Sequence, residues 1–353
     1  MNAQIPIPGP ASVGELLDRS FRLYRAHFRS LVKTAAVFMV PYAVISAYMT
    51  GNSMLSMLSL FQTIMDQPAE LPDQALLVPM ASMFQNVGLT WVIMIVGMAV
   101  IALSGLALMH QTVGILKGEA GTLGNHVRGA GRRFWTLVGM NILQYLAIIG
   151  IVFAAAIVLF LLALLFGLAA SGFSQFLDEG GALATGGMFV VLFCLYPLLI
   201  LAVLAPMFYL IIRWMVAGVG IVERQWGSRE SLRESWRLTK GNVWRCLGFA
   251  LLLYIVSAVV VQAPVMVLQM VMLFVGTDML AVGVTITTLA STLLNIVWQP
   301  LSVIAIVFLY FDLLMRQEGW DIDQRLARLE AEVAQPVTIP ASIESLEFSG
   351  DAE

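Results

Sequence analysis

Residues Ser235–Leu247 read SWRLTKGNVWRCL, and from Cys246 to Thr277 the chain runs on without a single Asp, Glu, Lys or Arg. A basic, aromatic stretch that feeds straight into such a run is the pattern of a helix inserting into a membrane. About 20 apolar residues cross the hydrocarbon, while Lys, Arg and Trp stay with the headgroups at its edge. The pattern recurs. SFRLYRAHFRSL (Ser20–Leu31) also places Ser, an aromatic, Arg and Leu together, then an aromatic–Arg pair, and it leads into the charge-free run 34–65.

The rest of the chain follows suit. Of 353 residues, 59% are hydrophobic and 12% charged, against the ~25% charged that is usual in soluble domains, and the mean hydropathy is +0.88. Charge-free runs at 34–65, 74–116, 134–177, 180–212, 246–277 and 279–311 each hold one good span, near 34–50, 87–110, 136–160, 188–211, 247–272 and 284–310. The segment 51–65, GNSMLSMLSLFQTIM, is short and Ser-interrupted. It reads as an extension of the first helix or an interfacial segment, not a crossing. All 19 Lys and Arg fall in 1–33, 111–133, 213–245 and 316–353, and none in the intervening loops 51–86, 161–187 and 273–283. The positive-inside rule then places both termini in the cytoplasm, which requires an even number of spans. Six satisfies it. The N-terminus lacks the basic head and apolar core of a cleavable signal peptide.

Internal repetition gives the architecture. Phe28, Trp135 and Trp244 precede the odd-numbered spans at spacings of 107 and 109 residues, with Ser12, Thr122 and Ser228 upstream as helix starts. Ser and Thr accept hydrogen bonds from the orphan amides of a helix N-terminus, and SVGE at Ser12 is a capping-box pattern. We therefore expect an all-α, polytopic membrane protein. Its six transmembrane helices form three pseudo-repeated hairpins, over about 12–110, 122–212 and 228–311, each preceded by a cytoplasmic amphipathic elbow helix. The membrane domain spans 12–325, between an N-terminal tail (1–11) and a mostly disordered, acidic C-terminal tail (326–353). In the first elbow Leu17, Phe21, Tyr24, Phe28 and Leu31 share a helical face; in the third, Leu232, Trp236 and Thr239 do. A helix with such a face and a basic opposite side lies in the membrane interface. Arg22, Arg25, Arg29, Arg132, Arg133, Arg233, Arg237, Lys240 and Arg245 are its candidate headgroup contacts; the plainer alternative is that the elbows only anchor each hairpin.

Chemistry is sparse. The chain has no P-loop, zinc-protease, dinucleotide or serine-hydrolase motif. Ser30 and Lys33 match SxxK, without partner motifs. Cys194 and Cys246 have no metal or redox spacing. No span carries an ionisable carboxylate, Lys or Arg, which argues against an ion-coupled pump. One feature is sharper. Thr285, Thr288, Thr292, Asn295, Gln299 and Ser302 form a stripe along the sixth span, which Asn141, Gln144 and Gln262 could face. Such groups are costly in lipid, so the stripe either bonds to neighbouring helices or lines a polar cavity. Pro41, Pro197, Pro206, Pro264 and Pro300 lie within spans, as kinks that open a central space or as packing devices. Asp312, at the cytoplasmic end of the sixth span, has Arg213, Arg245 and Arg316 as candidate partners; it is a structural ion pair or a ligand-binding carboxylate.

Three stretches, GELLDRSFRLYRAHFRSL (Gly14–Leu31), SLRESWRLTKGNVWRCLG (Ser231–Gly248) and YFDLLMRQEGWDID (Tyr310–Asp323), make residues 10–325 similar to the membrane domain of bacterial glycerophosphoryl diester phosphodiesterases. The resemblance implies an inner-membrane location and this domain's fold. In its namesake enzymes the domain is joined to a cytosolic (β/α)8 catalytic domain. Here 37 residues follow Arg316 and the histidines are three, His27, His110 and His126, so we expect no phosphodiesterase activity and no cofactor. The expected function is a non-catalytic module that binds lipids, through anionic headgroups of the cytoplasmic leaflet, or organises a protein partner or a second copy. A lipid or small-solute pathway is the alternative, and a membrane-embedded part of a glycerophosphodiester-metabolising system the third reading. Nucleic acid is not expected.

Overall fold

A computed structural model describes residues 11–66, 73–119, 121–174, 200–201, 203–274 and 279–318. Every described element is a helix. They are α1 (Val13–Asp66), α2 (Asp73–Lys117), α3 (Leu123–Ser174), α4 (203–214), α5 (Ala217–Glu223), α6 (Ser228–Thr239), α7 (Val243–Ser257), α8 (Ala263–Leu273) and α9 (Leu280–Glu318). Six stretches among them are long and apolar enough to cross a membrane: Val13–Met65, Met80–Lys117, Leu123–Val158, Val203–Glu223, Val243–Met272 and Leu280–Gln317. The chain is a multi-pass membrane protein. The N-terminal tail to residue 10, part of the 161–187 loop, the start of the fourth span (188–199, with Cys194 and Pro197) and the C-terminal tail lie outside the described residues.

The segment 51–65 continues the first helix. At 54 residues α1 is about 81 Å long at 1.5 Å per residue, far beyond a hydrocarbon core of about 30 Å. Polar groups zip its outer end to α2. Asn52 Nδ2 donates to Asn86 Oδ1 (3.0 Å), and the Ser53 and Thr90 hydroxyls lie 2.7 Å apart. Ser12 caps the N-terminal end, where the Glu15 amide donates to its Oγ (3.2 Å). Close approaches follow from small residues: Gly51 lies against Thr285 of α9, and Gly97 of α2 against the Tyr42 ring.

The most apolar window of α9 is 61% buried; that of α3 is 0% buried. The C-terminal half of α9 is therefore the axis of the bundle, with Ile304, Val307, Leu309, Tyr310 and Leu313 sealed on all sides, as befits a helix that is apolar all round. Leu16, Leu23, Tyr24, Leu31, Ala35 and Met39 of α1 join the same core. Tyr24 Oη donates to the Val297 carbonyl (2.7 Å), on the turn of α9 that precedes Pro300, and so ties α1 to α9. In α7–α8 the chain makes a π-turn, Ala258–Gln262, immediately before Pro264. The wider turn accommodates a residue that cannot donate.

The three segments that lead into the odd-numbered spans differ from one another. α1 is one helix with a break at His27 (φ −118°, ψ 18°); α3 is continuous from Leu123; α6 is a separate helix, parted from α7 at Gly241 (φ +82°), a conformation that only glycine adopts without strain. Their buried faces are also rotated from those expected. In α1 the buried residues are Leu16, Ser20, Leu23, Tyr24 and Leu31, while Phe28 is 41% exposed. In α6 they are Ser231, Ser235, Leu238 and Thr239, with Trp236 at 36% exposure. The reason is the partner: these faces meet protein, where small serines permit close packing, and the aromatics turn outward. Nor is Ser228 the cap of α6. Gly227 precedes the helix with its amide on Glu230 Oε2 (3.3 Å), and Ser228 Oγ instead donates to the Thr136 carbonyl of α3 (2.8 Å), beside Gly139.

Candidate functional site

The polar stripe of α9 divides into two parts. Thr285, Thr288, Thr292 and Asn295 give their hydrogen bonds to carbonyls of their own helix, Ala281, Val284, Thr288 and Ser291, at 2.8–2.9 Å. None of the four lines the cavity described below. Short hydroxyl and amide side chains can always reach the carbonyl one turn back, so a stripe of them need not have an outside partner. Gln299 behaves differently. Its Oε1 accepts from Ser104 Oγ (2.8 Å) and its Nε2 donates to the Ile101 carbonyl (3.3 Å), both on α2. Gln299→Leu should therefore cost about 1 kcal/mol, the scale of an interhelical polar contact in a membrane, whereas Asn295→Leu should be nearly silent. Thermal unfolding of the two variants in detergent checks the contrast.

Where Gln299 crosses, the helices part. A cavity of 590 Å³ lies between α2, α3, α4 and α9, with Gln299, Ser302, Asn141 and Gln144 as its polar residues and Gly105, Met109, Leu137 and Met140 among its apolar ones. Asn141 and Gln144 are half-buried and make no hydrogen bond with any described residue. A second hollow of 540 Å³ shares Ile101, Ala102, Asn141 and Tyr145 with the first and reaches Ile95, Met98 and Ile142, which are exposed on the outer surface of α2 and α3. The two make one cleft that leads from the bundle interior, past Asn141, to the surface that faces lipid. A Cβ built on Gly105 meets nothing within 4 Å, so the cleft is open at that point. Its volume is that of a ligand site, ~300–1,000 Å³. Gln262 takes no part; it is exposed on α7–α8.

Asp312 is fully buried and occupies the centre of a clamp. Its Oδ1 accepts from the Ala11 amide (2.9 Å), and its Oδ2 from Arg245 Nε and Arg316 Nε (both 3.0 Å). The two arginines also donate to the Ala11 carbonyl through Nη2. Three partners satisfy one carboxylate, and the clamp ties the segment ahead of α1 to α7 and α9. Arg245 is thus committed to protein instead of headgroups. Arg213, the third candidate partner, goes elsewhere. It is 8% exposed, donates to Tyr209 Oη (2.7 Å from Nη2) and the Trp236 carbonyl (3.1 Å), and lies 4.6 Å over the Trp236 ring.

The other basic residues vary in availability. Arg25, Arg29, Arg132 and Lys240 are exposed. Arg22 pairs with Asp18 (3.0 Å), Arg233 and Arg237 share Glu234, and Arg133 Nη2 donates to Gln225 Oε1. Trp135 and Trp244 are 78% and 84% exposed at the same end, where indole rings suit a membrane interface. Ser30 faces no lysine. Its Oγ accepts from Gln111 Nε2 (2.7 Å), and Thr34 Oγ1 donates to Gln111 Oε1 (2.7 Å), a buried polar joint between α1 and α2. Among the described residues no cluster of three His, Cys, Asp or Glu could hold a metal ion.

Residues 193–325 match a family model described as the membrane domain of glycerophosphoryl diester phosphodiesterase. The match covers the fourth span through the end of α9 and the Arg245–Asp312–Arg316 clamp, and no other domain is detected. No curated protein and no solved structure matches the chain.

Proposed function

We propose that the protein is a non-catalytic membrane module that holds a lipid in the cleft between α2 and α3. The observation that supports it is the cleft's make-up: an apolar groove continuous with the lipid-facing surface, with Asn141 and Gln144 at its inner wall and without a hydrogen-bond partner among the described residues. An amphiphile whose apolar chain enters from the side, and whose polar part meets these two amides, fits that arrangement. A continuous polar pathway along α9 is less well supported, because its outer four stripe residues spend their hydrogen bonds on their own helix. The protein belongs, on this reading, in a cytoplasmic (inner) membrane with both termini inside, given that every described Lys and Arg lies at one end of the helices. The three basic segments ahead of α1's span, α3's span and α7 act as repeated elbows that set this orientation and meet anionic headgroups. The family match adds a context, a system that handles glycerophosphodiesters, in which this chain supplies the membrane part; a protein partner or second copy would dock on the same body.

Gly105 offers the cleanest test, since a side chain there enters open space. Gly105→Phe should fold normally, replacing a helix-weakening glycine, and should fill the cleft. In native mass spectrometry from mild detergent, the wild-type chain should keep about one tightly held lipid and Gly105→Phe should keep none. Equal lipid content in the two would refute the reading. Lipid that exchanges freely in both would point to a scaffold that touches annular lipid only.

A further inference from the structure

The cleft has a cationic cap. At its cytoplasmic end Leu106, which lines the main cavity, also lines a separate pocket of 280 Å³ with His110, Gly129, Arg132, Arg133 and Gln225. Four of these side chains are hydrogen-bonding groups, and no carboxylate is among the pocket's residues. The nearest in sequence, Glu223, is held by Lys117 (3.0 Å). Arg132 is exposed and has no ion-pair partner among the described residues; among the same residues Arg133 is bound only to the neutral Gln225. His110 uses Nδ1 on His126 Nδ1 (3.2 Å). Its opposite edge lies over Gly129, where a Cβ would come within 2.7 Å of Cδ2 and Nε2. The absent side chain lets the Gly129 backbone pack close against that edge. Gln225 is the one described non-glycine residue with positive φ (57°), a conformation uncommon outside glycine and asparagine and often kept where a ligand is clamped.

The geometry points to a phosphate site: His110, Arg132, Arg133 and Gln225 bind the phosphodiester headgroup of an anionic phospholipid of the cytoplasmic leaflet, whose acyl chains follow the α2–α3 cleft. It rests on the cleft reading above and adds the headgroup. Two guanidinium groups, with planar forks matched to phosphate oxygens, sit where the leaflet's own phosphates lie. The distances agree. From His110 to Ile95, at the far end of the cleft, is 15 residues of α2, about 23 Å along the axis. That is one leaflet's depth, about half of a ~40–45 Å bilayer with headgroups.

The test uses the full chain in nanodiscs of equal parts phosphatidylglycerol and phosphatidylcholine, re-extracted in mild detergent and read by native mass spectrometry. Retained lipid should be enriched at least tenfold in phosphatidylglycerol. Arg132→Gln with Arg133→Gln should abolish the enrichment and leave the total lipid retained unchanged. Arg132→Gln alone breaks no contact in the structure and should lower the enrichment several-fold, with an unchanged melting profile as the control for folding. Enrichment that survives both variants overturns the assignment. So does enrichment in the wild-type chain that millimolar inorganic phosphate erases, which would make the occupant a free anion. Failure of the cleft reading gives a different result: Gly105→Phe then retains as much lipid as wild type, whatever its headgroup.

Discussion

Asp312→Ala is expected to be the most damaging single substitution in the chain, lowering stability by about 3–5 kcal/mol. The carboxylate is fully buried, and it is the shared acceptor for the Ala11 amide, Arg245 and Arg316. Removing it strands two guanidinium groups side by side, with only the Ala11 carbonyl between them. Breaking a buried pair by deleting one partner leaves an uncompensated charge, which costs more than the pair itself contributes. Arg316→Ala should cost less, because its side chain is 31% exposed against 20% for Arg245 and exposed pairs are worth ~0–1 kcal/mol. Thermal unfolding in detergent, with limited proteolysis near residue 11, reads both quantities. An Asp312→Ala protein as stable as wild type would show that the clamp carries no stability.

Arg213→Ala should cost about 3 kcal/mol. A hydrogen bond to a charged group is worth about 1.5–3 kcal/mol, and a desolvated cation–π contact about 2; the terms overlap, so they do not add. The guanidinium joins the end of α4 to α6 through the Trp236 carbonyl, the Trp236 ring and Tyr209. Ser235 Oγ closes the joint by donating to the Arg213 carbonyl (2.8 Å). Arg213→Lys keeps the charge yet loses the flat surface and the fork, so it should recover less than half of the loss. Full recovery by Lys, in the same unfolding measurement, would mean that charge alone matters there.

The crossings are legible in the sequence because a bilayer imposes one simple demand, an uninterrupted apolar run, and because Lys and Arg collect on one side. Burial is not legible in that way. The runs that become α3 and α9 are equally free of charge, yet one window is 0% and the other 61% buried. In water, an apolar face seeks protein; in a membrane, lipid serves as well, so apolarity no longer says which helix is central. The stripe on α9 shows a second limit. Periodicity tells which residues share a face, and Thr285 to Ser302 do, but it does not tell whether a hydroxyl reaches outward or back to its own helix. Gln299 crosses to α2 because its side chain is long enough; the threonines are not. A third limit is pairing. Asp312 had three arginine candidates, and only the fold separates Arg245 and Arg316, which reach it, from Arg213, which is captured by two aromatic rings. The joint of Ser30, Thr34 and Gln111 depends on two helices meeting in register, and no local pattern announces that.

The central claim is that the α2–α3 cleft is a lipid site, and an experimental density map of the protein in a nanodisc tests it most directly. The account predicts elongated density along α2 and α3, running past Gly105 and Asn141, with its headgroup end near Arg132 and Arg133. A map in which α2 and α3 close on each other, or in which protein side chains fill the space between Gly105, Asn141 and Gln299, would contradict it.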